Sequence, residues 1–413
     1  MIAWLKRRLS LPDSTPPALV LAVFFYLWHI LCSGFVASSE CFVAFSMMAF
    51  LWALYRKQIK VSPHILFLPL AVYGIDSTVS ALAAPAEIHA FGENALWLKM
   101  ALFAVSLTLF REVPHARELA LRALLIFAAF ASTWGLVQFF VLARRDLEHR
   151  ITGPSTHVMT LSGLLLATSL VFLILWIHER ANLWLLAGTI LVSFTLLLTL
   201  TRSAWLGWLV AVSVLLILRW PRALVFAVPL LMFFISFMPL PLFSRVVSSF
   251  STRQSSNLDR IRMVQAGVEI IKDYPLLGVG PANVKEVYPL YRKHDAPRFR
   301  IPHLHNNVVQ LWAERGILAL AAYVLLNVLF LRECWRAWGG PESRFAEIGV
   351  AVAVALAAAG LFEFNFGDTE VFWMLLDVCA LVIAFTERGG QAIASVRTGR
   401  IACPPSGVPV NGP

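Results

Sequence analysis

A few basic side chains carry most of the chemistry this sequence can offer: Arg202, Arg260 and Lys99, with His303 and His305 two residues apart. Arginine forks bind phosphate oxygens in bidentate fashion and can stabilise negative charge growing on a leaving pyrophosphate. A histidine titrates near neutral pH and can take the proton of an attacking hydroxyl. Glycine-rich nucleotide loops, a kinase set, a paired-histidine zinc motif and an outward-facing D-x-D pair are all missing, which argues against nucleotide-fuelled or metal-dependent chemistry. Five cysteines without repeated spacing form neither a disulfide framework nor a zinc site.

The elements that must position these residues are membrane helices. Of the 413 residues 59% are hydrophobic and 14% charged, about half the charged share of a soluble domain. Apolar runs long enough to span a bilayer begin near Ala18, Cys41, His64, Ala95, Leu119, Val158, Leu183, Ala204, Ala223, Asn306, Arg344 and Glu370. This predicts an all-α, polytopic integral membrane protein of about twelve spans. Residues 1–413 form one membrane domain, with a large external loop over 244–304 and a tail over 387–413. With the N-terminus in the cytoplasm, inner segments hold 18 Lys and Arg, whereas the short outer loops hold only Arg144, Arg145, Arg150 and Arg202. The positive-inside rule therefore places both termini in the cytoplasm. The long loop breaks the pattern: its ten Lys and Arg face five acids, a net +5 on the outer side. An anionic partner explains that excess; a solvated loop, translocated regardless of charge, is the alternative.

Within this frame each candidate has a place. Thr201-Arg202-Ser203 separates two apolar runs with almost no spacer, so Arg202 sits in a tight outer turn, fixed at the interface or snorkelling to headgroups. Lys99 lies about 7 Å below the outer end of the fourth span, where a lysine is a functional candidate unless it snorkels. In the loop, Leu258, Ile261, Val264, Val268 and Ile271 form one helical stripe between the cap candidates Ser256 and Asn257 and the terminator Pro275. The spacing predicts an amphipathic helix on the membrane or the bundle. Arg260 flanks the stripe at roughly 75° and Arg262 points roughly 125° away, so Arg260 is better placed to reach a ligand. Pro275 to Pro281, with Gly278 and Gly280, reads as a compact turn. His303 and His305 then stand at the mouth of the tenth span. Glu314 and Arg315 in that span suit a structural ion pair.

In chain order, Arg202 in Thr-Arg-Ser-Ala-Trp-Leu-Gly, Arg260 fifteen residues before Pro275, the segment Tyr274 to Gly280 and His305-Asn306 followed by Glu314-Arg315-Gly316 resemble the O-antigen ligase and polymerase superfamily. Gly153 and His157 are similar to its weaker upstream motif. The resemblance covers roughly Arg150 to Leu320, and within the superfamily it is strongest to the O-antigen ligases. It implies a membrane-embedded glycosyltransferase of the C type, acting without metal or other cofactor at the periplasmic face of the bacterial inner membrane; a monomer is expected because no soluble oligomerisation segment is visible. It implies transfer of a polymerised glycan from undecaprenyl pyrophosphate to a sugar hydroxyl of lipid A-core, in lipopolysaccharide biosynthesis, with inversion by direct attack because no external carboxylate is an evident nucleophile. Carried over residue by residue, Arg202 and Arg260 hold the pyrophosphate, with Arg150 and Lys99 in the same substrate-binding set. His305 is the base or an acceptor-orienting group. His303 is the close neighbour that competes with it. An O-antigen polymerase or a protein O-oligosaccharyltransferase would use the same donor, and shared motifs do not separate them. A lipid-linked glycan transporter would line a path through the bilayer with its polar groups, whereas here they cluster at one face.

Overall fold

The structure is a computed structural model that describes residues 1–84, 95–143, 149–223 and 255–397. No strand occurs among them. The helices are α1 (Ile2–Arg8), α2 (Pro17–Leu31), α3 (Val36–Tyr55), α4 (Phe67–Ala83), α5 (Ala95–Glu112), α6 (Pro114–Phe140), α7 (Val158–His178), α8 (Leu183–Leu198) and α9 (Arg202–Arg219). There follow α10 (Ser255–Asp273), α11 (Val284–Tyr291), α12 (Asn307–Arg315), α13 (Ile317–Ala337), α14 (Ser343–Ala359) and α15 (Thr369–Arg397). Six of them, α3, α6, α7, α9, α13 and the first part of α15, are long and apolar enough to cross a membrane; α2, α4 and α8 are apolar but shorter. The total of twelve spans is not reached by that measure among the described residues. Arg144, Arg145, the run expected near Ala223, the start of the long loop at Ser244 and the last sixteen residues of the tail, 398–413, lie outside them.

Helices α7 and α15 form the centre, each buried along nearly its whole apolar length. They approach closely because Gly163 faces Val371: a Cβ at 163 would stand 2.6 Å from the valine Cγ2. The other apolar helices pack around this pair in one continuous core. The ends of several helices follow local chemistry. Pro114 opens α6, where a missing N–H costs nothing, and the side chains of His157 and Asn182 accept backbone N–H groups at the starts of α7 and α8.

One expectation needs correction. The tenth span does not begin at Asn306: Asn306 caps the short α12, and a separate helix, α13, begins at Ile317. The break is at Gly316, with φ of +85°. There the turn Pro275–Gly280 docks against the end of α12, with Val279 N–H donating to Ala313 O (2.9 Å) and Gly280 N–H to Glu314 O (2.8 Å). Helix α10 forms where the spacing placed it. Its most deeply buried residues are Asp259, Met263, Ala266 and Ile270; of the predicted stripe, Ile271 packs against the same small core, while Ile261 and Val268 are each 40% exposed. Small residues on the buried side let α10 join α11, α12 and the 301–304 segment in a separate small core around Tyr288 and Leu304. The long loop is thus a folded element with its own interior. Helix α15 continues to Arg397, beyond the end of its apolar stretch at Glu387, so the residues after 387 begin as helix.

At Gly316 a Cβ would meet Leu276 O at 1.7 Å, whereas at Gly339, also at positive φ, it would meet nothing within 4 Å. Gly316→Ala is therefore expected to lower the thermal unfolding midpoint clearly more than Gly339→Ala, which carries only the backbone strain, roughly 1 kcal/mol. Melting of both purified variants in detergent checks this; equal shifts would mean that the loop moves aside.

Candidate functional site

The site is assembled by the two asparagines that open α12. Asn306 accepts Val309 N–H and donates to Leu361 O (2.9 Å). Asn307 donates from its backbone to Gly360 O (2.7 Å), from its side chain to Asn365 Oδ1 (2.7 Å), and accepts Phe366 N–H. These bonds fasten the turn between α14 and α15 beneath the 301–306 segment. The turn carries Glu363, whose side chain lies under both histidines.

Glu363 is buried, and His305 Nδ1 lies 2.9 and 3.0 Å from its two oxygens. A carboxylate only accepts, so Nδ1 carries the hydrogen and Nε2 of neutral His305 keeps its lone pair. His305 is held in this pose at a φ of +52°, a conformation uncommon for a side chain of its size. His303 Nδ1 accepts the backbone N–H of His305 (3.4 Å), which puts the hydrogen of its neutral form on Nε2, 3.7 Å from Glu363. Arg260 reaches the same carboxylate, at 3.7 Å. Arg150 lies within the same field, since the charges of Glu363 and Arg260 both act on it.

The electrostatics follow from burial and neighbours. Burial alone would raise the Glu363 pKa, but the His305 hydrogen bond and the charges of His305, His303 and Arg260 outweigh it and hold the group at about 2. Burial lowers the His303 pKa to about 4, with His305 acting in the same direction against Glu363. Arg260 and Arg150 are lowered as well, by burial first, with Glu363 opposing it. Two half-dehydrated guanidinium groups around one carboxylate leave positive charge over, which suits a phosphate-bearing ligand.

The sequence-predicted residues divide into three groups. His303, His305, Arg260 and Arg150 come together on Glu363. Arg202 stands at the first turn of α9 after the tight turn 199–201 and donates to Asn257 Oδ1 (2.7 Å) and Ser256 Oγ (3.1 Å), so it is tied to the start of the helix that carries Arg260. Lys99 is apart, in a small cavity of about 20 Å³ that also touches Arg315 and Tyr73. Arg262 pairs with Asp295, in keeping with its outward direction. Glu314 and Arg315 form a buried ion pair at 2.7 Å. Arg150 is presented by a loop that Gln138 clamps: its Oε1 accepts from Thr152 and Gly153 N–H, both at 2.8 Å.

Glu363 is the functional candidate that sequence reasoning missed. The available signal was an acid among aromatics in the short outer turn Phe362-Glu363-Phe364. A cavity of about 310 Å³ adjoins it, lined by His157 and His303 among others. A larger one, about 690 Å³, lies at the other end of the bundle beside Arg117 and Arg344 and contains none of the candidate residues. His303, His305 and Glu363 also have ligand atoms within 4.8 Å of one another, as a metal site would; the arginines beside them oppose a second cation there.

Residues 187–324 match the family model described as O-Antigen ligase. The matched segment contains Arg202, Arg260, His303 and His305; Arg150 and Glu363 lie outside it. No curated protein matches the chain.

The two shifted groups set the acid response. His303 stays neutral in the folded protein down to about pH 4 but takes a proton near 6.5 when unfolded, so stability falls as pH drops from 6.5 to 4. Glu363 adds a second loss, between its ordinary 4.5 and about 2. Melting temperature measured against pH for wild type and His303→Gln is expected to differ in slope between pH 4 and 6.5. Parallel curves would show that His303 is not held neutral.

Proposed function

We propose that the protein is an O-antigen ligase of the inner membrane: it transfers a polymerised glycan from undecaprenyl pyrophosphate to a sugar hydroxyl of lipid A-core at the periplasmic face. The observation that carries this reading is the contact of His305 Nδ1 with the buried Glu363 carboxylate, flanked by Arg260 and Arg150. Glu363 orients the imidazole and stabilises its protonated form, as the acid of a Ser-His-Asp triad does. His305 Nε2 takes the proton of the acceptor hydroxyl as the oxygen attacks the anomeric carbon. The bond from that carbon to the pyrophosphate breaks, and Arg260, Arg150 and Arg202 receive the charge on the departing pyrophosphate. Both Glu363 oxygens face His305, and Oε1 also accepts Phe364 N–H, so Glu363 is a positioning residue and inversion by direct attack is the route. Neither metal nor nucleotide enters this scheme, and Lys99 stays a candidate substrate contact at a distance from the histidines. In this reading one copy of the chain suffices and both termini are cytoplasmic.

A reconstituted assay without added metal or nucleotide tests it, with undecaprenyl-pyrophosphate glycan as donor and lipid A-core as acceptor. Glycan on lipid A-core is expected. Lengthened glycan on the undecaprenyl carrier instead would mean a polymerase, and no product in either form would send the reading to a transporter. His305→Ala is expected to lose about 10² to 10⁴-fold in transfer rate while remaining folded. Arg202→Ala and Arg260→Ala are expected to weaken use of the donor, by 10²-fold or more where charge stabilisation is lost. Full activity in folded His305→Ala would remove it as the base.

A further inference from the structure

The cavity beside Glu363 has a lining unlike that of a phosphate site. Its volume is about 310 Å³, and its walls include His157, His303, Gln310, Glu363, Phe364 and Asp368. Arg150, Arg202 and Arg260 are not among them. The one guanidinium that is, Arg315, is bonded to Glu314, its neighbour in the same wall. The phosphate-binding groups and this cavity are therefore separate places that share Glu363.

Gln310 gives the cavity its direction. It is 1% exposed, and its Oε1 accepts Leu304 N–H at 2.7 Å, whereas its Nε2 has no hydrogen-bond partner. A buried amide donor without an acceptor costs roughly 1 to 3 kcal/mol, so the wall is built for an acceptor atom that arrives with something else. Phe364 lines the same space, where its ring offers a flat apolar face. Carboxylates, an amide donor and an aromatic ring around a space of this size suit a group that is flat and apolar on one side and edged with hydroxyls. A pyranose ring is such a group, and its uncharged hydroxyls both donate and accept.

We infer that this cavity is the subsite for one sugar ring of the acceptor, with Gln310 Nε2 donating to a ring hydroxyl and Phe364 packing on the ring face. The inference rests on the transfer reading above for the identity of the two substrates. It assigns the acceptor rather than the donor because the donor's first sugar is bonded to the pyrophosphate and must sit beside the arginines, which are absent from this lining. The acceptor, in contrast, must bring a hydroxyl to His305, which is outside the lining but whose ring centre stands 4.2 Å from that of His303 in the wall. His303, held neutral, can share a hydrogen bond there without repelling its neighbours.

Two substitutions test it in the full-length protein. Gln310→Glu keeps an oxygen for Leu304 N–H and replaces the amide donor by a carboxylate oxygen that carries charge, and Phe364→Leu keeps an apolar side chain and removes the ring. Transfer is measured with the core oligosaccharide of lipid A-core and with undecaprenyl-pyrophosphate glycan varied in turn, and binding of the core oligosaccharide is measured by calorimetry on the same samples. The expected result is a rise of roughly tenfold in KM and Kd for the core oligosaccharide, about one well-made hydrogen bond, with the donor KM within twofold. A rise in donor KM alone would overturn the acceptor assignment, and unchanged constants in both folded variants would overturn the subsite. If wild type binds the core oligosaccharide but transfers nothing, the transfer reading fails while a tenfold loss of binding in the variants still upholds the subsite. No binding to wild type overturns it. Should Gln310→Glu fail to fold, Phe364→Leu decides by the same constants.

Discussion

One buried carboxylate organises one end of the helix bundle. Glu363 is placed in a low-dielectric setting where an isolated negative charge would be untenable, and it is ionised only because His305, His303 and Arg260 converge on it. The dependence runs both ways. Without the carboxylate, His305 would lose the group that fixes its tautomer and ring direction, and Arg260 and Arg150 would lose the acid that offsets their charge. The geometry of every candidate catalytic group therefore refers back to a turn of the chain between the last two helices.

That turn is held in place by backbone and amide hydrogen bonds more than by packing. Asn306 and Asn307 spend their side chains on the 361–366 segment, and the preceding residues are fixed from the other side by Gln310, which binds Leu304 N–H. The break at Gly316 is part of the same construction: α12 ends where the Pro275–Gly280 turn takes over its carbonyls, and α13 sets off as a separate membrane helix. A continuous helix from Asn306 would have no room for that turn, and α10 would lose the surface that carries Arg260 toward Glu363.

The charge of the long loop is resolved by the same arrangement. Much of its positive charge is balanced locally, as Arg262 with Asp295, Lys272 with Glu269 and Arg298 with Asp259. Arg260 alone of these paired cations reaches across to an acid from another part of the chain. The ligand field is thus concentrated in a few guanidinium groups, not spread over the loop, and Arg150, Arg202 and Arg260 are absent from the lining of the cavity beside Glu363.

Helix positions were legible in the sequence because a bilayer demands about 20 apolar residues per span and tolerates few charges, so the starts at Val158 and Leu183 could be read directly. The separate directions of Arg260 and Arg262 followed from helical geometry, which is local. Which face of α10 meets protein did not follow, since both of its sides are apolar and only the presence of α11 and α12 chooses between them. The break at Gly316 was equally out of reach, because it depends on a turn forty residues earlier in the chain docking against α12. Glu363 is the clearest case: it lies 58 residues beyond His305, in a turn with no motif of its own. Its role arises from a long-range hydrogen-bond network that has no period or spacing along the chain, so only the tertiary structure could bring the carboxylate to the histidine.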